Sequence, residues 1–230
     1  MLSSLLLLLI LALLFSQPRW LLAKIAAIYP GMVYFAKIKE PVVALTIDDG
    51  PNAVSTPQIL EVLSRYQARV TFFLISNNIS GNESLLSNLV QDGHELGNHL
   101  TSDQPSIKLS AADFEAQFLE ADRVIAQFGQ VSWFRPASGW YSPEMLEIVG
   151  KYNYRSALGC VFPYDTHFKS VGFAVFQVLF NVRPGSIIVF HDGGDRGERT
   201  VLALEKILPQ LHRRGYRVVT LSELLALQEG

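Results

Sequence analysis

Seven short runs rich in β-branched and aromatic residues recur after Pro41, and helical periodicity separates nearly all of them. They are Val42 to Ile47, Val70 to Ile75, His94 to Gly97, Ser132 to Arg135, Tyr154 to Leu158, Ser186 to Phe190 and Arg217 to Thr220. Between them the apolar residues switch to helical spacing. Ile59, Leu60, Val62, Leu63 and Tyr66 share one face, behind a Thr56-Pro57 pair that reads as N-cap and first helical position. Asn82 to Gln91 is a second helix. Ser110 to Asp113 resembles a capping box with Asp in place of Glu and opens a third, to about Phe128. Ser142-Pro143 opens a fourth, and Phe173 to Asn181 reads as a fifth. Arg199 to Arg214 sets Val201, Leu204, Leu208 and Leu211 on one face and stops at Gly215, and Leu221 to Leu227 closes the chain. Strands alternating with helices predict a parallel sheet with helices outside it. With roughly 195 residues beyond the leader, a barrel of fewer than eight units fits better than a full one, an open doubly wound sheet being the alternative.

Composition excludes some partners. The formal net charge is −2 and no basic stripe is visible, so nothing argues for nucleic acid. The single cysteine, Cys160, allows no intrachain disulfide and reads as a small packed hydrophobe.

The N-terminus stands apart. Leu2 to Phe15 is almost unbroken leucine, shorter than a bilayer span, and it matches the apolar core of a secretory signal. No Lys or Arg precedes it and no clean cleavage site comes after it, so a membrane anchor running on through Trp20 to Ala23 is a real alternative. Arg19, Lys24, Lys37 and Lys39 all lie beyond the apolar run, which by the positive-inside tendency would keep the main domain cytoplasmic. The expectation is nevertheless a membrane-anchored or secreted, extracytoplasmic protein. Residues 1–36 form an anchor or signal segment plus linker outside the globular core, and 37–230 form the catalytic domain.

Polar residues gather where the strands end. Val42 to Ile47 runs into Asp48 and Asp49, and Gly50-Pro51 then breaks the strand. His99 and Asp103 follow the third strand, Arg135 ends the fourth, and His191 and Asp192 follow the sixth. In a parallel sheet these ends converge on the face where ligands bind. Adjacent carboxylates repel unless a cation compensates them, and a His and an Asp four apart share one face of a helical turn. Asp49, His99 and Asp103 would then make a three-ligand site with open positions. The plainer alternative is that Asp-Asp-Gly-Pro is only a turn.

Together these stretches resemble the polysaccharide deacetylases, the NodB homology domain or carbohydrate esterase family four, over roughly Val42 to Leu225. Thr46-Ile47-Asp48-Asp49-Gly50 is similar to the family's first motif, and Gly93 to His99 leads into the second. Trp133-Phe134-Arg135-Pro136 with Gly139 is similar to the third, Tyr164-Asp165 weakly to the fourth, and Ile187 to Asp192 to the fifth. The resemblance implies a distorted (β/α) barrel of about seven parallel strands. It implies a metal-dependent hydrolase that removes acetyl groups from an N-acetylated, peptidoglycan- or chitin-like glycan. An O-acetyl esterase or a silent sugar-binding protein on the same fold stays open. By position, Asp48 matches the base, Arg135 the arginine that orients it and His191 the acid. Asp165 matches the partner of His191, and Asp49 and His99 match metal ligands. Val189 lines the acetyl pocket, and Ser138 supplies a backbone N–H to the oxyanion. Trp140 and Tyr141 could stack on a sugar ring. The third ligand position, usually His, is Asp103 here. Zinc is the expected ion, with manganese, which is harder, or cobalt as alternatives.

Overall fold

The computed structural model describes residues 12–229. The strands are β1 (Met32–Val33), β2 (Val42–Asp48), β3 (Thr71–Leu74), β4 (Glu95–Asn98), β5 (Val131–Phe134), β6 (Arg155–Ala157), β7 (Ile187–His191) and β8 (Arg217–Val219). The main helices are α1 (Arg19–Ile28), α2 (Ser55–Arg65), α3 (Glu83–Gln91), α4 (Ala111–Ile125), α5 (Pro143–Lys151), α6 (Val171–Asn181), α7 (Asp195–Arg213) and α8 (Leu221–Glu229). All seven expected strands form. The eighth, β1, is only two residues long and carries no periodic signal.

The strand order is β1-β6-β5-β4-β3-β2-β7, with β8 beside β2, and every ladder is parallel. β2 is the centre. It pairs with β7 from Ala44 to Asp48, with β8 at Val42 to Ala44 and with β3 at Thr46 to Asp48. All seven of its residues are buried, which is why it reads as a continuous apolar run. The ends of the strand order meet through single bridges, Val161 to Ile188 and Phe35 to Ser186. The sheet is therefore a distorted barrel, and the doubly wound alternative does not hold.

Alternation along the strands sorts the side chains into two columns. Val43, Leu45, Ile47, Phe72, Leu74, Ile188 and Phe190 pack with the helices in one large core. Val42, Ala44, Phe73, Trp133, Ala157 and Ile187 face inward, with Leu221, Leu224 and Leu225 of α8 packed among them. The large Phe73 ring leaves no room for a side chain at Gly97 beside it. A Cβ on Gly97 would stand 2.6 Å from the Phe73 ring. Following the same alternation upward, Asp48, Arg135 and His191 top the inward column.

One local expectation changes. Thr56 is not the N-cap of α2, which starts at Ser55; Asn52 Oδ1 accepts from the N–H groups of Val54 and Ser55 instead. Thr56 is drawn away because its hydroxyl serves Asp192. Ser110 and Ser142 do cap α4 and α5, accepting from Asp113 and Met145.

The N-terminal segment also differs. Most of the apolar run, residues 1–11, lies outside the described residues. Among those described, no helix is long and apolar enough to cross a membrane. The stretch from Gln17 to Val33 is part of the fold, and the folded unit begins ahead of residue 37. β1 pairs with β6, and Leu22 of α1 packs on the large core. The Gln17 side chain bonds both backbone groups of Phe162, at 2.7 and 2.9 Å. Arg19 donates to Pro184 O at 2.8 Å, Arg183 O at 3.1 Å and Ser186 Oγ at 2.7 Å. Its guanidinium lies over the Phe35 ring.

Arg19→Met keeps the apolar stem and removes three charge-assisted hydrogen bonds. It should lower unfolding free energy by about 1–3 kcal/mol in urea titrations. A change under about 0.3 kcal/mol would show that α1 rests on the surface without holding it.

Candidate active site

The strand ends are flush. In register, Asp48 lies beside His191 on one edge and Phe73 on the other, and Leu74 pairs with Asn98. Just past these ends the backbone turns left-handed at non-glycine residues: Asp49 at φ 72°, Leu100 at 66°, Ser138 at 64° and Tyr164 at 58°. Such conformations are uncommon and collect at functional loops. At Asp49 the consequence is direct. The turn breaks strand alternation, so Asp49 shares the cleft with Asp48 instead of pointing to the opposite face. The cleft has a volume of about 470 Å³ and is lined by Asp48, Asp49, His99, Asp103, Arg135, Ser138, Trp140, Val189 and His191.

Asp48 and Arg135 form a buried ion pair with Oδ1 2.6 Å from Nη1. The same nitrogen donates to Thr46 Oγ1 at 2.7 Å, Nε donates to Ala157 O at 3.0 Å, and the guanidinium stacks on Phe73, 4.1 Å from the ring centre. Thr46 in turn donates to Ile188 O. The inward column thus becomes a polar ladder whose top rung is the Asp48 carboxylate.

His191 meets Asp165 across the cleft wall. Its Nδ1 lies 3.1 Å from both carboxylate oxygens, and its backbone N–H donates to Oδ2. Burial opposes charge on the ring. The Asp165 carboxylate, with Asp48 and Asp49 beyond it, outweighs burial and lifts the imidazole to about 9. The weak motif around Tyr164-Asp165 therefore marks a real partner of His191.

Asp49 and His99 form the second polar pair, Oδ1 to Nε2 at 3.5 Å. His99 Nδ1 lies 2.7 Å from Arg135 O, and because a carbonyl only accepts, Nδ1 carries the hydrogen. Burial disfavours charge on both groups. The His99 partner nevertheless lowers Asp49 to about 2, and Asp49 with Asp48 raises His99. A histidine held through Nδ1–H to a carbonyl leaves Nε2 to ligate, the usual arrangement for a metal-bound imidazole. Asp49 Oδ2 is buried with no hydrogen-bond partner. These two residues fit a divalent ion. Asp103 is less committed. Its half-exposed carboxylate faces Arg196 Nη2 at 3.6 Å, and Arg196 Nη1 stands 3.1 Å from Asp49 Oδ2. Among the described residues no three His, Cys, Asp or Glu side chains gather at ligand spacing.

One residue escaped the sequence reading, and others take places of their own. Arg196 lines the cleft from the start of α7, unmarked by any motif. Asp192 is fully buried and accepts hydrogen bonds from the hydroxyls of Ser55 and Thr56. Burial, assisted by Asp49, pushes its carboxyl up to about 6. It therefore ties the loop after β7 to the start of α2. His167 lines the cleft with its ring nitrogen on Thr166. Tyr141 does not line it: its hydroxyl meets Tyr34 at 2.8 Å, in a neighbouring hollow. Trp140 borders both and is 71% exposed.

A half-open parallel barrel with two carboxylates, a buried arginine and a carboxylate-held histidine at its strand ends defines a class of hydrolase. The family model described as polysaccharide deacetylase matches residues 36–157. A peptidoglycan-N-acetylglucosamine deacetylase of Bacillus cereus is 34% identical over 189 residues, covering 81% of this chain and 89% of that protein. A chitooligosaccharide deacetylase of Sinorhizobium fredii is 34% identical over 196 residues, covering 80% and 91%. The crystal structure of the Bc1960 peptidoglycan N-acetylglucosamine deacetylase superposes with a TM-score of 0.82 at 28% identity, over 87% of this chain and 95% of that one. The chain belongs to the polysaccharide deacetylase family. A pseudoenzyme of that esterase family from Bacillus anthracis superposes with a TM-score of 0.78 at 26% identity, over 86% and 70%, so activity has to be argued from the residues.

Asp165→Asn should lower the His191 pKa, because the carboxylate that favours the imidazolium is gone. The sign comes from the shift: the ring now keeps its proton up to about pH 9 and would lose it nearer its ordinary value. Proton NMR of His191 in metal-free protein, alongside the basic limb of the rate profile, should both move toward acid by more than about one unit. An unmoved resonance would remove Asp165 as its partner.

Proposed function

We propose that this protein is a metal-dependent hydrolase that removes acetyl groups from N-acetylglucosamine units of a peptidoglycan- or chitin-like glycan. The observation that carries the reading is a pair of proton-handling side chains, each locked by an opposite charge, on adjacent strands. Asp48 is held by Arg135 and His191 by Asp165. The Bacillus cereus and Sinorhizobium fredii relatives are both deacetylases of N-acetylated sugars.

Each residue has a separate task. Asp48, held by the guanidinium, takes the proton of the attacking water. Arg135 is a positioning residue: fixed by Thr46, Ala157 and Phe73, it fixes Asp48. His191, charged through Asp165, gives its proton to the leaving amine. The Ser138 backbone offers its N–H to the developing oxyanion. Val189 and Leu158 form an apolar wall of the cleft suited to the acetyl methyl, and exposed Trp140 offers a stacking face for a sugar ring. Asp49, His99 and Asp103 would hold a divalent ion, zinc first and manganese or cobalt as alternatives. Such an ion, when bound, polarises the acetyl carbonyl and acidifies water.

The catalytic domain takes in β1 and the barrel. We place the protein outside the cytoplasm, on its relatives' cell-wall and chito-oligosaccharide substrates, and assign the apolar N-terminus to a signal or membrane tether.

The test is acetate release from acetylated chito-oligosaccharides and from peptidoglycan fragments, with O-acetylated xylan for comparison. Wild type should release acetate from an amide-linked substrate. Asp48→Asn should lose at least about a hundredfold in rate while retaining bound metal, because the base and the ligands are different residues. Activity on O-acetyl groups alone would overturn the amide assignment, and activity within about tenfold of wild type would remove Asp48 as the base.

A further inference from the structure

The position of Arg196 invites a role that no motif assigns. Its guanidinium reaches over the cleft from the first turn of α7, with Nη1 3.1 Å from Asp49 Oδ2 and Nη2 3.6 Å from Asp103 Oδ2. Those are the two carboxylates expected to ligate the ion. A cation at a helix N-terminus meets the positive end of the helix dipole, so the helix itself disfavours a guanidinium there. Asp49 and Asp103 supply the compensation. The approach also depends on glycine: a Cβ on Gly193 would stand 3.1 Å from Arg196 Nη2 and 3.5 Å from Asp49 Cβ. Gly194, at φ 51°, then turns the chain into α7.

We propose that Arg196 is a tethered cation that holds Asp49 and Asp103 in the metal-free protein and competes with the divalent ion for them. This rests on the proposed metal site and deepens it. Asp49 and His99 are almost wholly buried, and their donor atoms are fixed from behind. The charges of His99 and His191 favour the Asp49 carboxylate. Arg196 adds its own charge at Oδ2 but makes an imperfect bond, for that oxygen lacks a hydrogen bond. The arginine side chain is 30% exposed and that of Asp103 54%, whereas that of Asp49 is 5% exposed. Arg196 can therefore withdraw into the cleft mouth without unpacking any core, and Asp49 cannot. A dication and a guanidinium on the same carboxylates repel each other, so loading the ion displaces Arg196 and frees Asp103. The arginine thereby sets the concentration of metal at which the site fills.

The test titrates metal-stripped protein with zinc and with manganese by calorimetry, in wild type, Arg196→Met and Arg196→Lys. The methionine variant should bind at least about tenfold more tightly, and the lysine variant, which keeps the charge, should stay near wild type. Thermal unfolding of the same samples supplies a second readout independent of turnover. Arg196→Met should melt lower than wild type without metal and no lower with metal saturating. Unchanged or weaker binding in Arg196→Met, with wild type still binding, overturns the role of Arg196 and leaves the metal site standing. Binding in neither protein overturns both.

Discussion

Arg135 is the residue on which the site's geometry hangs. A guanidinium that is 2% exposed loses nearly all its hydration, a cost that only close partners offset. It collects them from three strands. Asp48 and Thr46 come from β2, Ala157 from β6 and the Phe73 ring from β3, while Arg135 itself comes directly after β5. Its own carbonyl then holds His99. One side chain and its backbone thus fix the proposed proton acceptor and one proposed metal ligand together. The same logic explains Gly97: any side chain there would push Phe73 out of its place beneath the guanidinium.

Beyond that layer, backbone turns do the aiming. A strand can offer only every second residue to one face, yet the cleft uses both Asp48 and Asp49. The left-handed turn at Asp49 resolves this, and the loop is secured where it bends: its N–H donates to Phe73 O, and its own carbonyl accepts from Asn78. Aspartate tolerates this conformation better than bulky residues do. Ser138 and Tyr164 repeat the device, the first bringing its backbone to the cleft and the second preceding Asp165.

The barrel was legible because its strands are buried on both sides and therefore read as apolar runs bounded by turns. β1 was not, because two residues carry no period and its pairing with β6 is set by tertiary contact. In the site, residues at strand ends could be located from order alone, since parallel strands bring their C-terminal ends together. That reasoning reached Asp48, Asp49, His99, Arg135 and His191. It could not reach Arg196, which starts a helix and enters the cleft across a glycine pair, and it did not foresee the Tyr141 hydroxyl on Tyr34 in the neighbouring hollow. Thr56 failed for a related reason. A hydroxyl before Pro57 looks like a cap, but α2 has already begun at Ser55, and the Thr56 hydroxyl accepts from Asn52 N–H and donates to buried Asp192, 136 residues away.

The N-terminal segment bears on the site as well. Its composition suggested an appendage, yet Leu14 and Gln17 are bonded to the loop that carries the partner of His191. Gln17 clasps Phe162, and Tyr164 donates its hydroxyl proton to Leu14 O at 2.7 Å. From the other side, Arg199 of α7 donates to Asp165 O, and Thr200 donates to His191 O. Asp165 thus sits on a short loop gripped by the segment before the barrel and by the helix after it. A carboxylate that must keep a histidine charged needs a fixed distance to it, since the interaction weakens as the separation grows. Here that distance is set by two elements remote in sequence, and the apolar leader runs directly into one of them.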